Sequence, residues 1–204
     1  ENKKLHLEVQ ESFDHAIDML AEVAEFKDKN TGGHISRIDN YTRTVALELG
    51  VPPEEAPLWG KASRLHDVGK IGLPDALLQK AGKLTEEEFD EIRKHTHIGA
   101  SILDHDKFMS IAREVAYSHH ERWDGNGYPK GLAGEAIPIM GRIVALVDVF
   151  DALLSRRAYK DAWPVERVAE QIQSLRGSHF DPSLVDLMLT HLDSFHEIFL
   201  KFPD

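Results

Sequence analysis

The chain has 204 residues, 42% of them hydrophobic and 29% charged, with a net charge of −11 and no cysteine. That is enough apolar mass for one large or two small cores. The missing cysteines exclude disulfides and thiolate metal sites, and the acidic balance argues against a general binder of nucleic-acid polymers, whose surface would be basic. An anionic substrate would have to be met by local cations, either metal ions or a few placed Arg and Lys residues. No stretch is apolar enough for a membrane span and no secretory leader is present, so a cytoplasmic location is expected. The first residue is Glu1, so a fragment of a longer chain is expected.

Leu5, Val9, Ser12, Ala16, Met19, Val23 and Phe26 recur at alternating four- and three-residue spacing, with Phe13, Ile17 and Leu20 widening the stripe. Two readings stay open: an amphipathic helix packed on its own domain, or the end of a signalling helix at a dimer seam. Thr31-Gly32-Gly33 interrupts this helix, which predicts a leading segment over 1–30 and a domain over 31–204. Helical periodicity follows at roughly 34–49, 54–66, 85–104, 107–120, 140–155, 165–175 and 182–200. Gly50 and Pro52-Pro53 separate the first two of these, and Thr85 with Glu88 three residues on predicts a capped helix start. The Gly- and Pro-rich stretches 68–83 and 121–139 read as irregular. No strand alternation is long enough for a sheet, so the expected fold is all-α, a helical bundle with two ligand-rich loops.

Ligand-type residues are scattered through this helical frame: His34, His66-Asp67, His95, His119-His120-Glu121, Asp148 and Asp151. Imidazoles and carboxylates without thiolates suit a hydrolytic metal centre. His66-Asp67 close a helical segment, where two adjacent side chains can turn toward one point; alone, the pair reads equally as a helix end. His95 and His97 point in roughly opposite directions, so only one of them is expected to be a ligand. His119-His120 also end a helix, and metal binding gives both imidazoles a role. Asp148 and Asp151 lie one turn apart on an apolar helix, where an unpartnered carboxylate is expensive; the alternative for them is a pair of partly buried salt bridges to Arg142 or Arg157. Gly125-Asn126-Gly127-Tyr128-Pro129 is a tight turn series that brings an aromatic ring beside the His doublet. Arg156-Arg157-Ala158-Tyr159-Lys160 is the densest cationic spot, either a solvated helix end or a phosphate clamp.

Taken together, these segments closely resemble the HD-GYP family of metal-dependent phosphohydrolases. The resemblance is carried by His66-Asp67-Val68-Gly69-Lys70, His95-Thr96, His119-His120-Glu121-Arg122-Trp123-Asp124-Gly125, Gly127-Tyr128-Pro129, Arg142-Ile143 through Asp148 to Leu153, and His179-Phe180-Asp181-Pro182. It implies an HD-type bundle around two divalent ions, iron or manganese. Asp67 would bridge them, with His34, His66 and Asp148 on one ion and His95, His119 and His120 on the other. Asn30 stands where three-metal members carry a glutamate, which argues for two ions. Ala158 replaces a proline common in the family, while Arg157 and Lys160 remain.

The implied activity is hydrolysis of the bacterial messenger cyclic di-GMP to linear pGpG, with GMP as a further product in many members. Lys70 would stabilise developing charge, Asp151 would orient the water or a ligand imidazole, Tyr128 would border the substrate, and Arg157 and Lys160 would grip phosphates. The implied partners are an upstream sensory or receiver domain as in a two-component response regulator, a second copy of the chain, and a GGDEF-type domain. The alternatives are a non-catalytic cyclic di-GMP receptor and an HD phosphohydrolase acting on pGpG or other nucleotides.

Overall fold

The structure is a computed structural model that describes residues 15–24, 27, 32–80, 82–103, 109–155 and 162–203. It is all-helical, and no named strand occurs among the described residues. A leading helix α1 (residues 15–24) is followed by α2 (Gly32–Glu48), α3 (Ala56–Ser63), a 3-10 helix (Val68–Gly72), α4 (Asp75–Leu78) and α5 (Glu86–Ile102). Then come α6 (Met109–Ser118), α7 (Ile139–Leu154), α8 (Val165–Ser174), α9 (Pro182–Thr190) and α10 (Leu192–Lys201). The expected helix over 182–200 is broken at His191, whose backbone amide still bonds to Leu187 and Met188 while its own φ of −110° leaves the helical range. The stretch 68–83 is more ordered than its composition suggests, because it contains the 3-10 helix and α4.

The most apolar helix, α7, is central. Met140, Ile143, Val144, Leu146, Val147, Phe150 and Leu154 are all buried, so it packs on several sides, against α2, α6, α8 and α9. A helix apolar all round belongs in a core rather than on a surface. Tyr41 of α2 and Phe195 of α10 stack at 5.5 Å, and Phe150 meets Tyr41 edge-on at 5.6 Å. These three rings fix the distance of α10 and α2 from α7.

Local chemistry sets where the helices that carry ligands begin and end. Thr85 accepts from the Glu88 amide and the Glu88 carboxylate accepts from the Thr85 amide, a full capping box at the head of α5. Asp181 caps α9 by accepting from the Ser183 amide, with Pro182 as the first helical residue. The leading helix packs on the domain: Ile17 and Ala21 lie in the same buried cluster as α2 and α7, while Met19 and Val23 are exposed. Both faces expected of this segment are therefore apolar, and one of them is spent on the domain's own core. Leu5, Val9, Ser12, Phe13, Phe26 and Asn30 lie outside the described residues.

Two glycines allow close approaches that define the site. A Cβ on Gly69 would lie 1.9 Å from the His95 carbonyl oxygen and 2.5 Å from the Gly99 amide, so only glycine lets the 3-10 helix touch α5. A Cβ on Gly127 would lie 2.3 Å from the Arg122 amide nitrogen. At Gly72 the nearest atoms belong to the Ile98 side chain, at 3.0 Å, and these can move. Gly69→Ala is therefore expected to cost about 1–3 kcal/mol of stability by overpacking, clearly more than Gly72→Ala. Urea unfolding of the two variants checks the order.

Candidate metal centre

Five elements converge on one point. His34 comes from α2, His66 and Asp67 from the turn between α3 and the 3-10 helix, Lys70 from that 3-10 helix, His95 from α5, His119 and His120 from the end of α6, and Asp148 from α7. Two groups of donor atoms result, each with all its atoms within 4.8 Å of one another: Asp67, His95, His119 and His120, and beside it His34, His66 and Asp148. The groups touch, since His66 lies edge-on to both His34 (5.6 Å) and His119 (5.3 Å). Its Nε2 is 3.4 Å from Asp67 Oδ2.

The outer nitrogens of four rings settle where the inner ones point. His66 Nδ1 donates to the Ser63 carbonyl (2.9 Å), His95 Nδ1 to that of Ile92 (2.7 Å), and His119 Nδ1 to that of Val115 (3.1 Å). His34 Nδ1 donates to the Asp151 carboxylate at 2.8 Å. A carbonyl only accepts, so each Nδ1 carries the proton and each neutral ring turns a bare Nε2 inward. Three of the bonds run back three or four residues along the same helical turn. That is how a histidine at a helix end is oriented by its own backbone.

Inward, acceptors face acceptors. His95 Nε2 and His119 Nε2 are 3.4 Å apart, and Asp67 Oδ1 lies 3.5 Å and 3.7 Å from them. Asp67 Oδ1 is buried and makes no hydrogen bond. Three electron pairs at such distances repel unless a cation lies among them, and nitrogen and oxygen donors without sulfur suit manganese, iron or zinc. The residues present fit a divalent ion in each group.

Charge follows the same logic. Burial would raise the Asp67 carboxyl, but Lys70, whose Nζ is 2.7 Å from Oδ2, outweighs it and holds the group well below the usual carboxylate range. Burial pushes His95 down to about 4 against the attraction of Asp67, and holds His120 well below the ordinary imidazole value. Both rings are thus neutral at pH 7, the form that binds metal. Burial would also raise Asp151, yet hydrogen bonds from His34 and Arg37 hold it ionised.

Of the expected site residues, the structure brings His34, His66, Asp67, Lys70, His95, His119, His120 and Asp148 together. Asp151 stands one residue behind them: it holds His34 and faces away from the donor cluster. Asp151 forms a salt bridge to Arg37, through Nε to Oδ1 at 2.6 Å and Nη2 to Oδ2 at 3.0 Å. Arg142 instead pairs with Asp181 at 2.7 Å. Tyr128 stacks on His120 at 4.7 Å and 27°. Burial pushes its phenol up, so it stays a neutral donor. His97 turns away from the centre, edge-on to Tyr117. Arg157 and Lys160 lie outside the described residues.

One buried residue escaped the sequence pattern, and a second, among the ligand-type residues, stands outside both donor groups. Arg37 is 1% exposed and also donates to Ser155 Oγ and to the Phe202 carbonyl; its one signal was a lone arginine a turn after His34 on a helix with Ile35, Ile38 and Tyr41. Glu121 is buried, and its two carboxylate oxygens accept from the Lys130 (2.8 Å) and Leu132 (2.9 Å) amides. It shapes the Tyr128 loop from within. The Ser178 and His179 carbonyls pin the same loop by accepting from the Asp124 and Trp123 amides, which gives the His179 motif a structural place.

The HD domain family model matches residues 18–184. The 3'3'-cGAMP-specific phosphodiesterase 2 of Vibrio cholerae is 42% identical over 206 residues, which cover 100% of this chain and 40% of that protein. The cyclic di-GMP phosphodiesterase response regulator RpfG of Xanthomonas campestris is 43% identical over 184 residues, 89% of this chain and 49% of that protein. The chain thus spans less than half the length of either relative. Among solved structures, an HDG"Y"P protein from Bdellovibrio bacteriovorus shares the fold, with a TM-score of 0.64 and 19% identity over 90% of this chain and 64% of that one. With the matched domain, these relatives and the residues assembled at the centre, the chain belongs to the HD domain family, in its HD-GYP branch.

Proposed function

We propose that the chain is the catalytic part of a phosphodiesterase that opens cyclic di-GMP to linear pGpG. The observation that carries this reading is the buried Asp67 carboxylate, grouped with His95, His119 and His120 and 3.4 Å from His66 of the adjoining group of His34, His66 and Asp148. In this proposal His34, His66 and Asp148 would hold one divalent ion and His95, His119 and His120 a second, iron or manganese, with Asp67 as the carboxylate shared between them. Two such ions supply an activated water and positive charge for a phosphodiester. The relatives named for cyclic di-GMP and for cyclic GMP-AMP support a cyclic dinucleotide as substrate.

The chain's own side chains supply the rest. Lys70, fixed against Asp67, places an ammonium where charge grows on the phosphate's non-bridging oxygens as water attacks phosphorus and the 3' oxygen leaves. Tyr128 lines a cleft of about 440 Å³ together with Asp90, Arg93, Lys94, His97, Gly127 and Pro129. Arg93 lies over the Tyr128 ring at 5.4 Å, so a base entering this cleft meets an aromatic face and a guanidinium together. Arg157 and Lys160 complete the proposal as phosphate grips. In the full-length protein this part answers to an upstream sensory or receiver domain, as in a response regulator. The exposed Met19 and Val23 of α1 suit pairing with a second copy.

The 42% identity to a 3'3'-cGAMP-specific enzyme favours a second reading, in which cyclic GMP-AMP is the preferred substrate. Equal concentrations of the two cyclic dinucleotides, with products identified, separate the readings. No helix among the described residues is long and apolar enough to cross a membrane.

Asp67→Ala is expected to abolish turnover and to lower the bound metal, read by metal analysis beside product identification; hydrolysis of cyclic di-GMP by a metal-free Asp67→Ala protein would sink the mechanism. Asp151→Asn loses the charge that holds His34, and its metal affinity is expected to drop about 10–100-fold, measured by titration into stripped protein. Acid should loosen the metal-free protein. His95 takes up a proton near pH 6.5 when unfolded but only near 4 when folded, so the unfolded state binds more protons between those values. Stability is then lost as pH falls through that window, by up to about 1.4 kcal/mol per pH unit. Urea midpoints from pH 7 to 4.5 should fall, and fall less steeply in His95→Gln.

A further inference from the structure

The segment from Arg64 to Leu73 carries His66, Asp67 and Lys70, and the leading part of the chain holds it at both ends. At the first end, Asp18 of α1 pairs with Arg64, two residues before His66. At the second, Lys27 Nζ donates to the Ile71 carbonyl at 2.9 Å and the Leu73 carbonyl at 2.8 Å, and pairs with Asp75 Oδ1 at 3.1 Å. An ammonium has three donors, and here all three are used on one short stretch more than 40 residues away in sequence. Between the two ends, Ile17, Ala21 and Ala24 anchor α1 in the core.

We propose that Lys27 is a positioning residue for the bridging carboxylate, and that α1 with Lys27 forms a strap whose placement sets the geometry of the metal-binding turn. The turn hangs from these attachments. The Lys70 amide donates to the Asp67 carbonyl and the Leu73 amide to the Lys70 carbonyl, so a shift at Ile71–Leu73 passes through two backbone bonds to Asp67 and to the Lys70 ammonium against it. Gly69 on the α5 backbone and the buried Val68 seat the middle of the turn, so Lys27 acts on its far end, at Ile71–Leu73. Both Lys27 bonds are only part-buried and the Lys27 side chain is 23% exposed, so water can take the place of the lost donor at modest cost to the fold. The effect of losing Lys27 therefore falls on position more than on stability. Any movement imposed on α1 from upstream is delivered to Asp67 by the same route.

The inference rests on the metal-centre reading above, and its test separates the two. Lys27→Met keeps the alkyl stem and removes the donors, Lys27→Arg restores donors, and Glu22→Gln removes an exposed charge from the same helix as a control. In the whole chain, Mn²⁺ affinity is measured by titration into metal-stripped protein, with kcat and KM for cyclic di-GMP and amide exchange over residues 68–73. Lys27→Met should weaken Mn²⁺ binding about tenfold or more, lower kcat with KM changed less than about twofold, and speed exchange at 68–73 while the thermal midpoint barely moves. Lys27→Arg should recover most of the loss, and Glu22→Gln should match wild type. Wild-type Mn²⁺ affinity and exchange in Lys27→Met overturn the proposal, as does an equal fall in every variant. Wild-type protein that binds Mn²⁺ but leaves cyclic di-GMP intact overturns the substrate reading alone, and Lys27 is then judged on affinity and exchange.

Discussion

Electron pairs crowded around the Asp67 carboxylate set the terms for the rest of the molecule. A folded chain gains nothing by bringing bare imidazole nitrogens within 3.4–3.7 Å of one another and of a carboxylate oxygen. The arrangement persists because four of the rings are held from behind, by a carbonyl of their own helical turn or by Asp151. Those holds cost sequence freedom: His66, His95 and His119 must each sit three or four residues after the carbonyl that takes their proton, and α7 must be apolar enough to lie in the core while carrying Asp148 and Asp151.

Lys70 and Arg37 show two ways of balancing buried acid. Lys70 touches Asp67 directly and is 15% exposed, so it can also reach a substrate phosphate. Arg37 is sealed off; its guanidinium satisfies Asp151, Ser155 and the Phe202 carbonyl at once. Pairing of this kind adds little net stability compared with an apolar filling of the same space, but removing one partner strands a charge. The return for the molecule is orientation: His34 points where Asp151 lets it.

The ligand set and the helical class were legible because they rest on chemistry that leaves a local mark. His66-Asp67 and His119-His120 are doublets at helix ends, Asp148 is an acid in an apolar run, and Thr85 with Glu88 announces its cap three residues apart. Glu121 passed as incidental because its partners, the Lys130 and Leu132 amides, are backbone groups with no sequence signature. Arg37 and Lys27 were missed for a related reason: a long cationic side chain reaches partners far along the chain, 114 residues for Arg37 and 44 or more for Lys27. The break at His191 was invisible to periodicity, since apolar residues continue in helical register on both sides of it.

The Tyr128 loop bears on how fast and how tightly a ligand is taken. Its amides are already spoken for by Glu121, its Tyr128 amide donates to the His120 carbonyl, and Trp123 and Asp124 are tied to His179 and Ser178. The conformational entropy of this stretch is surrendered when the chain folds, not when a ligand arrives. A cyclic dinucleotide would then meet a rim that needs no rearrangement, so association approaches the rate set by diffusion and charge, and selectivity has to be expressed in how quickly a poorly fitting ring departs.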